Sequence, residues 1–254
     1  MYFDSHAHYD DRRFDQDRSE LLGALPGHGV TGIINVGASM ASSRASVALA
    51  EDYPYIYATV GVHPHDAAEM AETDLEILRS FCGHKKVVAV GEIGLDFHYD
   101  NSPRDVQRIW FARQLELAKS LNMPVVIHSR EAAAETFNMI KDSGICKGVL
   151  HCYSGHLPMA LEYIKIGFYI GIGGVVTYKN AEKTQEVAAK IPLGQLLIET
   201  DAPYLAPAIT KKKRERNDSS KLPYIVETIA KLRGITPKAV AEATEENARC
   251  LFGV

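Results

Sequence analysis

The residues best suited to chemistry in this chain are histidines and carboxylates that close apolar runs. Asp4-Ser5-His6-Ala7-His8 closes the first run and Val62-His63-Pro64-His65 another. Gly91-Glu92-Ile93-Gly94-Leu95-Asp96, Ile127-His128-Ser129-Arg130, Leu150-His151-Cys152-Tyr153-Ser154 and Glu199-Thr200-Asp201-Ala202-Pro203 close further ones. His6 and His8 stand two apart. Side chains at i and i+2 of a strand share a face, so two imidazoles there can grip one cation from a single rigid element. Imidazole with carboxylate suits zinc, manganese or iron, whereas magnesium favours more oxygen. Glu92 follows its apolar run with no intervening charge, and a lone buried carboxylate is costly unless it is paired or on a metal. Taken singly, each residue has an ordinary explanation. His6 and His8 read equally as a surface pair, Glu92 as a salt-bridged glutamate, His128 and His151 as hydrogen-bonded core histidines, and Asp201 as a turn aspartate before Pro203. Taken together, His6, His8, Glu92, His128, His151 and Asp201 end five strands on one expected rim, and that predicts a metal site. A carboxylate shared between two histidine groups suits a two-metal centre, which stabilises both attacking and leaving oxygens of a displacement.

The elements that position these residues follow from periodicity. Candidate strands are Met1–Ser5, Gly32–Val36, Ile56–Val62, Val87–Gly91, Pro124–Ile127, Gly148–Leu150, Tyr169–Ile172 and Leu196–Glu199. Several are almost wholly apolar, as strands buried on both faces should be. Helical patterns cover Ser42–Asp52, Thr73–Phe81, Asp105–Leu121, Glu131–Asp142, Pro158–Lys165, Asn180–Lys190, Leu222–Leu232 and Pro237–Asn247, the last with Thr236 as its N-cap. In Asp105–Leu121 the apolar positions Val106, Trp110 and Leu117 mark the inward face. Strand and helix in alternation predict an α/β protein with parallel strands under outer helices. The expected architecture is a (β/α)₈ TIM barrel, with a doubly wound open sheet as the alternative. A barrel places its active site at the C-terminal ends of the strands, where the polar residues fall.

The 254 residues suit one such barrel, and the whole chain, 1–254, reads as a single domain. Hydrophobic residues at 46% and charged residues at 24% are those of an ordinary globular protein. A net charge of −4 disfavours a protein that coats duplex DNA, but bound cations would reverse the sign locally, so a nuclease is not excluded. Cys82, Cys146, Cys152 and Cys250 form no C-x-x-C pair and read as reduced thiols. No secretory leader is evident in MYFDSHAHYDD, and no apolar run approaches the ~18 residues of a membrane span. The expectation is a soluble, cytoplasmic protein. The charge run KKKRER, Lys211–Arg216, reads as a solvated loop after the last strand.

DSHAH at Asp4–His8, GVHPH at Gly61–His65, GEIGLD at Gly91–Asp96, PVVIHSRE at Pro124–Glu131, HCYSG at His151–Gly155 and ETDAPYL at Glu199–Leu205 resemble, in order and spacing, the motifs of the TatD family. These are metal-dependent deoxyribonucleases within the amidohydrolase superfamily. The resemblance runs from Met1 to TEENARCLF at Thr244–Phe252. It implies the barrel and two divalent ions (Mg, Mn or Zn). His6, His8 and Asp201 would hold one, His128 and His151 the other, and Glu92 would bridge them. Glutamate stands where many amidohydrolases carry a carbamylated lysine. The implied activity is hydrolysis of DNA phosphodiesters from the 3′ end, favouring single strands, with no protein partner and no membrane involved. In that setting His63 and Arg130 read as phosphate-binding residues or as groups that orient their neighbours. Asp96 reads as the partner of a ligand histidine or as a turn residue. Tyr153 and Ser154 read as groove-lining or as packing and capping residues. One segment departs from the family pattern. Arg216-Asn217-Asp218 is kept, but Ser219 stands where proline is usual, after several extra residues, which bears on substrate preference.

The expected mechanism uses Asp201 as general base and Glu92 as the shared ligand, with Lys211–Lys213 and Arg214 attracting the nucleic acid backbone. Two rivals remain at this level. The same centre serves hydrolysis of a small amide, lactone or phosphoester, and a barrel of this kind can also be a non-catalytic binding protein.

Overall fold

The computed structural model describes residues 1–208 and 215–254. Strands β1 (Tyr2–Ala7), β2 (Val30–Val36), β3 (Ile56–Val60), β4 (Val87–Asp96), β5 (Val125–Arg130), β6 (Gly148–Leu150), β7 (Phe168–Ile172) and β8 (Leu196–Ile198) form one eight-stranded sheet in sequence order. Helices α1 (Arg18–Ala24), α2 (Met40–Asp52), α3 (Glu72–Cys82), α4 (Arg104–Ser120), α5 (Ala133–Ser143), α6 (Leu157–Lys165) and α7 (Glu182–Lys190) alternate with the strands, and α8 (Leu222–Arg233) and α9 (Pro237–Phe252) close the chain. The fold is the TIM barrel expected. A doubly wound sheet would reverse its strand order at a switch point, and this order never reverses. None of the described helices is long and apolar enough to cross a membrane.

The chain divides into two compact units. One comprises Met1–Ile34, His151–Lys165 and Tyr169–Val254; the other comprises Asn35–Leu150 and Ile166–Phe168. In the first, β1 is buried from Phe3 onward, and Ala7 bridges Ala202 in parallel. Helix α9 opens on Thr236, whose hydroxyl accepts the Ala239 N–H as expected. It runs beyond the expected Asn247 to Phe252. Asn247 is no terminator: its side-chain amide donates to the carbonyls of Leu193 and Leu196, both at 2.8 Å, and so anchors the approach to β8. Helix α1 was not anticipated, because seven residues with one buried apolar position leave little periodic signal.

In the second unit, β4 is buried over all ten of its residues. The sequence reading stopped it at Gly91, where the apolar run meets Glu92. The strand continues because β5 continues beside it, with Gly94 opposite His128 and Asp96 opposite Arg130. At Gly94 φ is +148°, and a Cβ would overlap the His128 carbonyl oxygen, so only glycine permits this approach. Helix α5 starts at Ala133 rather than Glu131, whose φ of +55° is left-handed.

Helix α4 corrects the expected inward face. Leu117 is buried as expected, but Val106 and Trp110 are only half-buried, and the buried face takes in Gln107, Phe111, Gln114 and Ala118. The two glutamines are spent on backbone. Gln114 accepts the Val62 N–H at 2.8 Å and donates to the Val62 carbonyl at 3.1 Å. Gln107 accepts the Asp96 N–H at 2.9 Å and donates to the carbonyls of Asp96 and Ser102 at 3.0 and 2.8 Å. Each side-chain amide thus satisfies the peptide groups of one residue just beyond or at a strand end, where the ladder no longer can. Gln107→Leu should cost ~2–4 kcal/mol, since it strands buried backbone groups at about 1–3 kcal/mol each. Urea denaturation checks this, and a variant as stable as the parent would show the amide to be dispensable.

Candidate metal centre

Each unit carries its own cluster of ligating atoms. In the first, His6 near the end of β1 and His8 just beyond it stand two residues apart, as alternation along an extended chain requires for a shared face. Their Nε2 atoms lie 3.1 Å apart, with the rings edge to face. Asp201 Oδ1 stands 3.5 Å from the His8 Nε2 and 3.9 Å from the His6 Nε2. Backbone bonds hold this geometry: Asp201 donates its N–H to the His6 carbonyl at 2.9 Å, and His8 donates to the Ala202 carbonyl at 2.7 Å. Asp201 has φ of +56°, a conformation that Asp tolerates better than most side chains. Burial pushes its carboxyl upward, but the hydrogen bond to His8 and the nearby charges of His151, His6 and His8 outweigh that and hold it below the usual range.

His151, directly after β6, stacks on His6 with ring centroids 3.8 Å apart. Its Nδ1 lies 3.7 Å from Glu199 Oε1. Glu199 was read from the sequence only as the last residue of a strand. It is wholly buried; Oε1 accepts the Cys152 N–H, and Oε2 has no hydrogen-bond partner among the described residues. His6, His151 and Glu199 have ligand atoms within 4.8 Å of one another. The signal for Glu199 was present: an acidic residue closing an apolar run, as at Glu92.

The second unit gathers His63, Glu92 and His128, again with ligand atoms within 4.8 Å of one another. Asp96 decides their roles. Its Oδ2 lies 3.0 Å from the Nε2 atoms of both His128 and His65, and its Oδ1 accepts the N–H groups of His98 and Tyr99 at 3.0 and 2.9 Å. Burial raises the Asp96 carboxyl, yet the bonds from His128, the Tyr99 backbone and His65 bring it well below the ordinary value. Asp96 is therefore an acceptor, and the Nε2 of His128 must donate. That leaves the Nδ1 lone pair of His128 facing Glu92 Oε1 at 3.1 Å. Two acceptors so close repel unless positive charge, a proton or a metal ion, lies between them. Carboxylate, imidazole and an outer carboxylate form the arrangement by which proteins orient a metal-binding histidine.

His63 resolves differently. Its Nδ1 accepts the His65 N–H at 3.1 Å, so the neutral ring carries its proton on Nε2, 3.6 Å from Glu92 Oε1. It presents a donor rather than a lone pair. Arg130 is exposed at the end of β5, its guanidinium 4.8 Å from the Tyr99 ring centroid. Tyr153 is buried and donates its hydroxyl to the His156 carbonyl at 2.9 Å, so it packs and caps its own turn; Ser154 is exposed. Lys211–Arg214 lie outside the described residues.

The model of the TatD related DNase family matches residues 3–253. The chain belongs to the TatD family. This TatD-family chain is 40% identical over 256 residues, the full length of both chains, to the uncharacterized metal-dependent hydrolase YabD of Bacillus subtilis. It is 36% identical to the 3′-5′ ssDNA/RNA exonuclease TatD of Citrobacter rodentium, over 99% of this chain and 98% of that one. Among solved structures, the TatD homologue YJJV of Escherichia coli superposes with a TM-score of 0.93 at 34% identity, covering 100% of this chain and 98% of that one. The protein is thus a TatD-family metal-dependent hydrolase. The histidine–carboxylate clusters fit divalent ions by donor chemistry: imidazole nitrogens face carboxylate oxygens, and a buried Glu199 oxygen lacks a hydrogen-bond donor among the described residues.

Asp96→Ala should weaken metal binding at the Glu92–His128 cluster by roughly 10–100-fold, the usual effect of removing an outer partner of a ligand histidine. Titration of apo-protein with Mn²⁺ reads this directly. Unchanged affinity would reduce Asp96 to the cap of its turn.

Proposed function

We propose that this protein is a single-domain, cytoplasmic 3′-5′ exonuclease that hydrolyses phosphodiester bonds of single-stranded DNA with two divalent cations, Mg²⁺, Mn²⁺ or Zn²⁺. The observation that carries the reading is the His128 Nδ1 lone pair, held by Asp96 against the Glu92 carboxylate at 3.1 Å. That arrangement suits a cation between the two groups, and the relatives named as exonucleases supply the substrate class. His6, His8 and Asp201 would hold one ion, His128 and His151 the other, with Glu92 serving both. Divalent ions so bound lower the pKa of water and offset charge on phosphoryl oxygens.

The remaining work falls to the chain. Asp201, kept ionised by the hydrogen bond to His8 and the neighbouring imidazoles, orients the attacking water and accepts its proton. His63, whose Nε2 lies 3.6 Å from Glu92 Oε1, would donate that N–H to a phosphate oxygen at the same site. Arg130, exposed at its strand end, offers a fork of donors to the backbone of the substrate. Positive charge in KKKRER draws the nucleic acid toward a chain whose net charge is −4.

Digestion of end-labelled single- and double-stranded oligonucleotides with Mg²⁺, Mn²⁺ or Zn²⁺ tests the proposal. Stepwise shortening from the 3′ end of single strands is expected. Glu92→Ala should lose at least ~100-fold in rate, beyond the loss of an outer partner alone, and bind less metal. Full turnover in that variant, or hydrolysis of small esters with none of DNA, would overturn it.

A further inference from the structure

Beneath the His6–His8–Asp201 cluster lies a carboxylate that the mechanism does not use. Asp4 is fully buried in β1, two residues before His6. Four donors converge on it. Oδ1 accepts the Thr200 N–H at 2.9 Å and lies 3.4 Å from the His6 N–H; Oδ2 accepts the hydroxyls of Thr200 and Ser219, both at 2.6 Å. Four donors match the four lone-pair sites of a carboxylate. The Thr200 hydroxyl in turn accepts the Ala202 N–H at 3.2 Å. Both chain neighbours of Asp201 are thereby tied to Asp4, directly through Thr200 and at one remove through Ala202. Asp201 sits between them at a φ of +56°, where an L-residue needs support from its surroundings.

Ser219 is the outer clamp. Its proton is committed to Asp4, so the Tyr9 hydroxyl must donate to Ser219 Oγ, at 2.7 Å. The Ser219 N–H returns to the Tyr9 oxygen at 2.8 Å. Asn217, two residues before, donates to the carbonyls of Thr200 and Tyr204, both at 2.8 Å. Asn217 and Ser219 are wholly buried. A proline at 219 would supply neither the hydroxyl nor the N–H, so both links depend on the serine of this sequence.

We propose that Asp4, clamped by Ser219, is a positioning residue that sets the distance between the His6–His8 pair and Asp201, and through it the affinity of that cluster for a divalent cation. The inference rests on the reading of His6, His8 and Asp201 as ligands. Strand β1 and the residue after it carry the two imidazoles, the segment after β8 carries the carboxylate, and the Asp4 side chain cross-links the two. Releasing it lets Asp201 relax out of its left-handed conformation and away from the imidazoles.

Apo-protein titrated with Co²⁺, followed by calorimetry and by the visible absorption of the bound ion, tests this without reference to turnover. Ser219→Ala should weaken binding about tenfold or more, the scale seen when outer partners of ligands are removed, and should alter the absorption bands, which report ligand geometry. Asp4→Asn, which turns one acceptor into a donor facing a hydroxyl, should do the same more severely; if it does not fold, Ser219→Ala alone decides. Parental affinity and bands in a folded Ser219→Ala protein would overturn the positioning role. His8→Ala separates the two levels. If it leaves Co²⁺ binding at parental strength and parental bands, the ligand reading itself fails, and the proposal with it.

Discussion

The packing of histidine nitrogens and carboxylate oxygens against one another at the strand ends is the constraint on which the rest of this structure depends. Two imidazole nitrogens at 3.1 Å and an imidazole nitrogen against a carboxylate at 3.1 Å each need a proton or a cation between them, and a buried Glu199 oxygen has no hydrogen-bond donor among the described residues. Such groups persist in a folded protein only where the surrounding structure over-determines their positions or a cation binds between them. The first condition is visible here. Main-chain bonds between β1 and the Asp201 segment fix one cluster, and Asp96 fixes the other by dictating which nitrogen of His128 carries the proton.

The supports share one device. Gln107, Gln114, Asn217 and Asn247 are polar residues in largely buried positions whose amides bind peptide groups at strand ends, in loops and at helix approaches. At a barrel rim the strands stop pairing while their backbone is still buried, so donors and acceptors must come from side chains. An amide supplies both in nearly the geometry of another strand. The same rim must also present ligands at tightly defined positions, and a site built on supported strand ends is more rigid than one built on free loops. The cost of burying these amides and the demands of the site therefore meet at the same residues.

The barrel and metal-dependent hydrolysis go with the TatD family, whereas the clamp on Asp4 depends on Ser219 of this chain. A TIM barrel keeps its strand-end ligands while the segments beyond them vary. In this chain the segment after β8 reaches back into the barrel. Arg216 pairs with Asp17 and lies 4.6 Å from the Phe14 ring centroid, while Asn217 and Ser219 enter the core. The segment with Asn217 and Ser219 is thus joined by short hydrogen bonds to the strand ends that carry the candidate site.

Read alone, the sequence determined the order of strands and helices, the barrel, the N-cap at Thr236 and the placement of histidines and carboxylates at strand ends. These are local properties: short, almost wholly apolar β-branched runs, amphipathic runs of period 3.6, and polar residues where such runs stop. The tertiary structure alone decided the rest. Asp96 becomes both turn cap and histidine partner only because β4 and β5 run on together past Gly91. Gln107 and Gln114 turn inward only because strand-end peptides await them, which shifted the buried face of α4 away from Val106 and Trp110. Asp4 is completed by Thr200 and Ser219, 196 and 215 residues away along the chain. A buried polar group is stabilised by the partner that meets it, and when that partner is distant in sequence no local window contains both halves of the interaction.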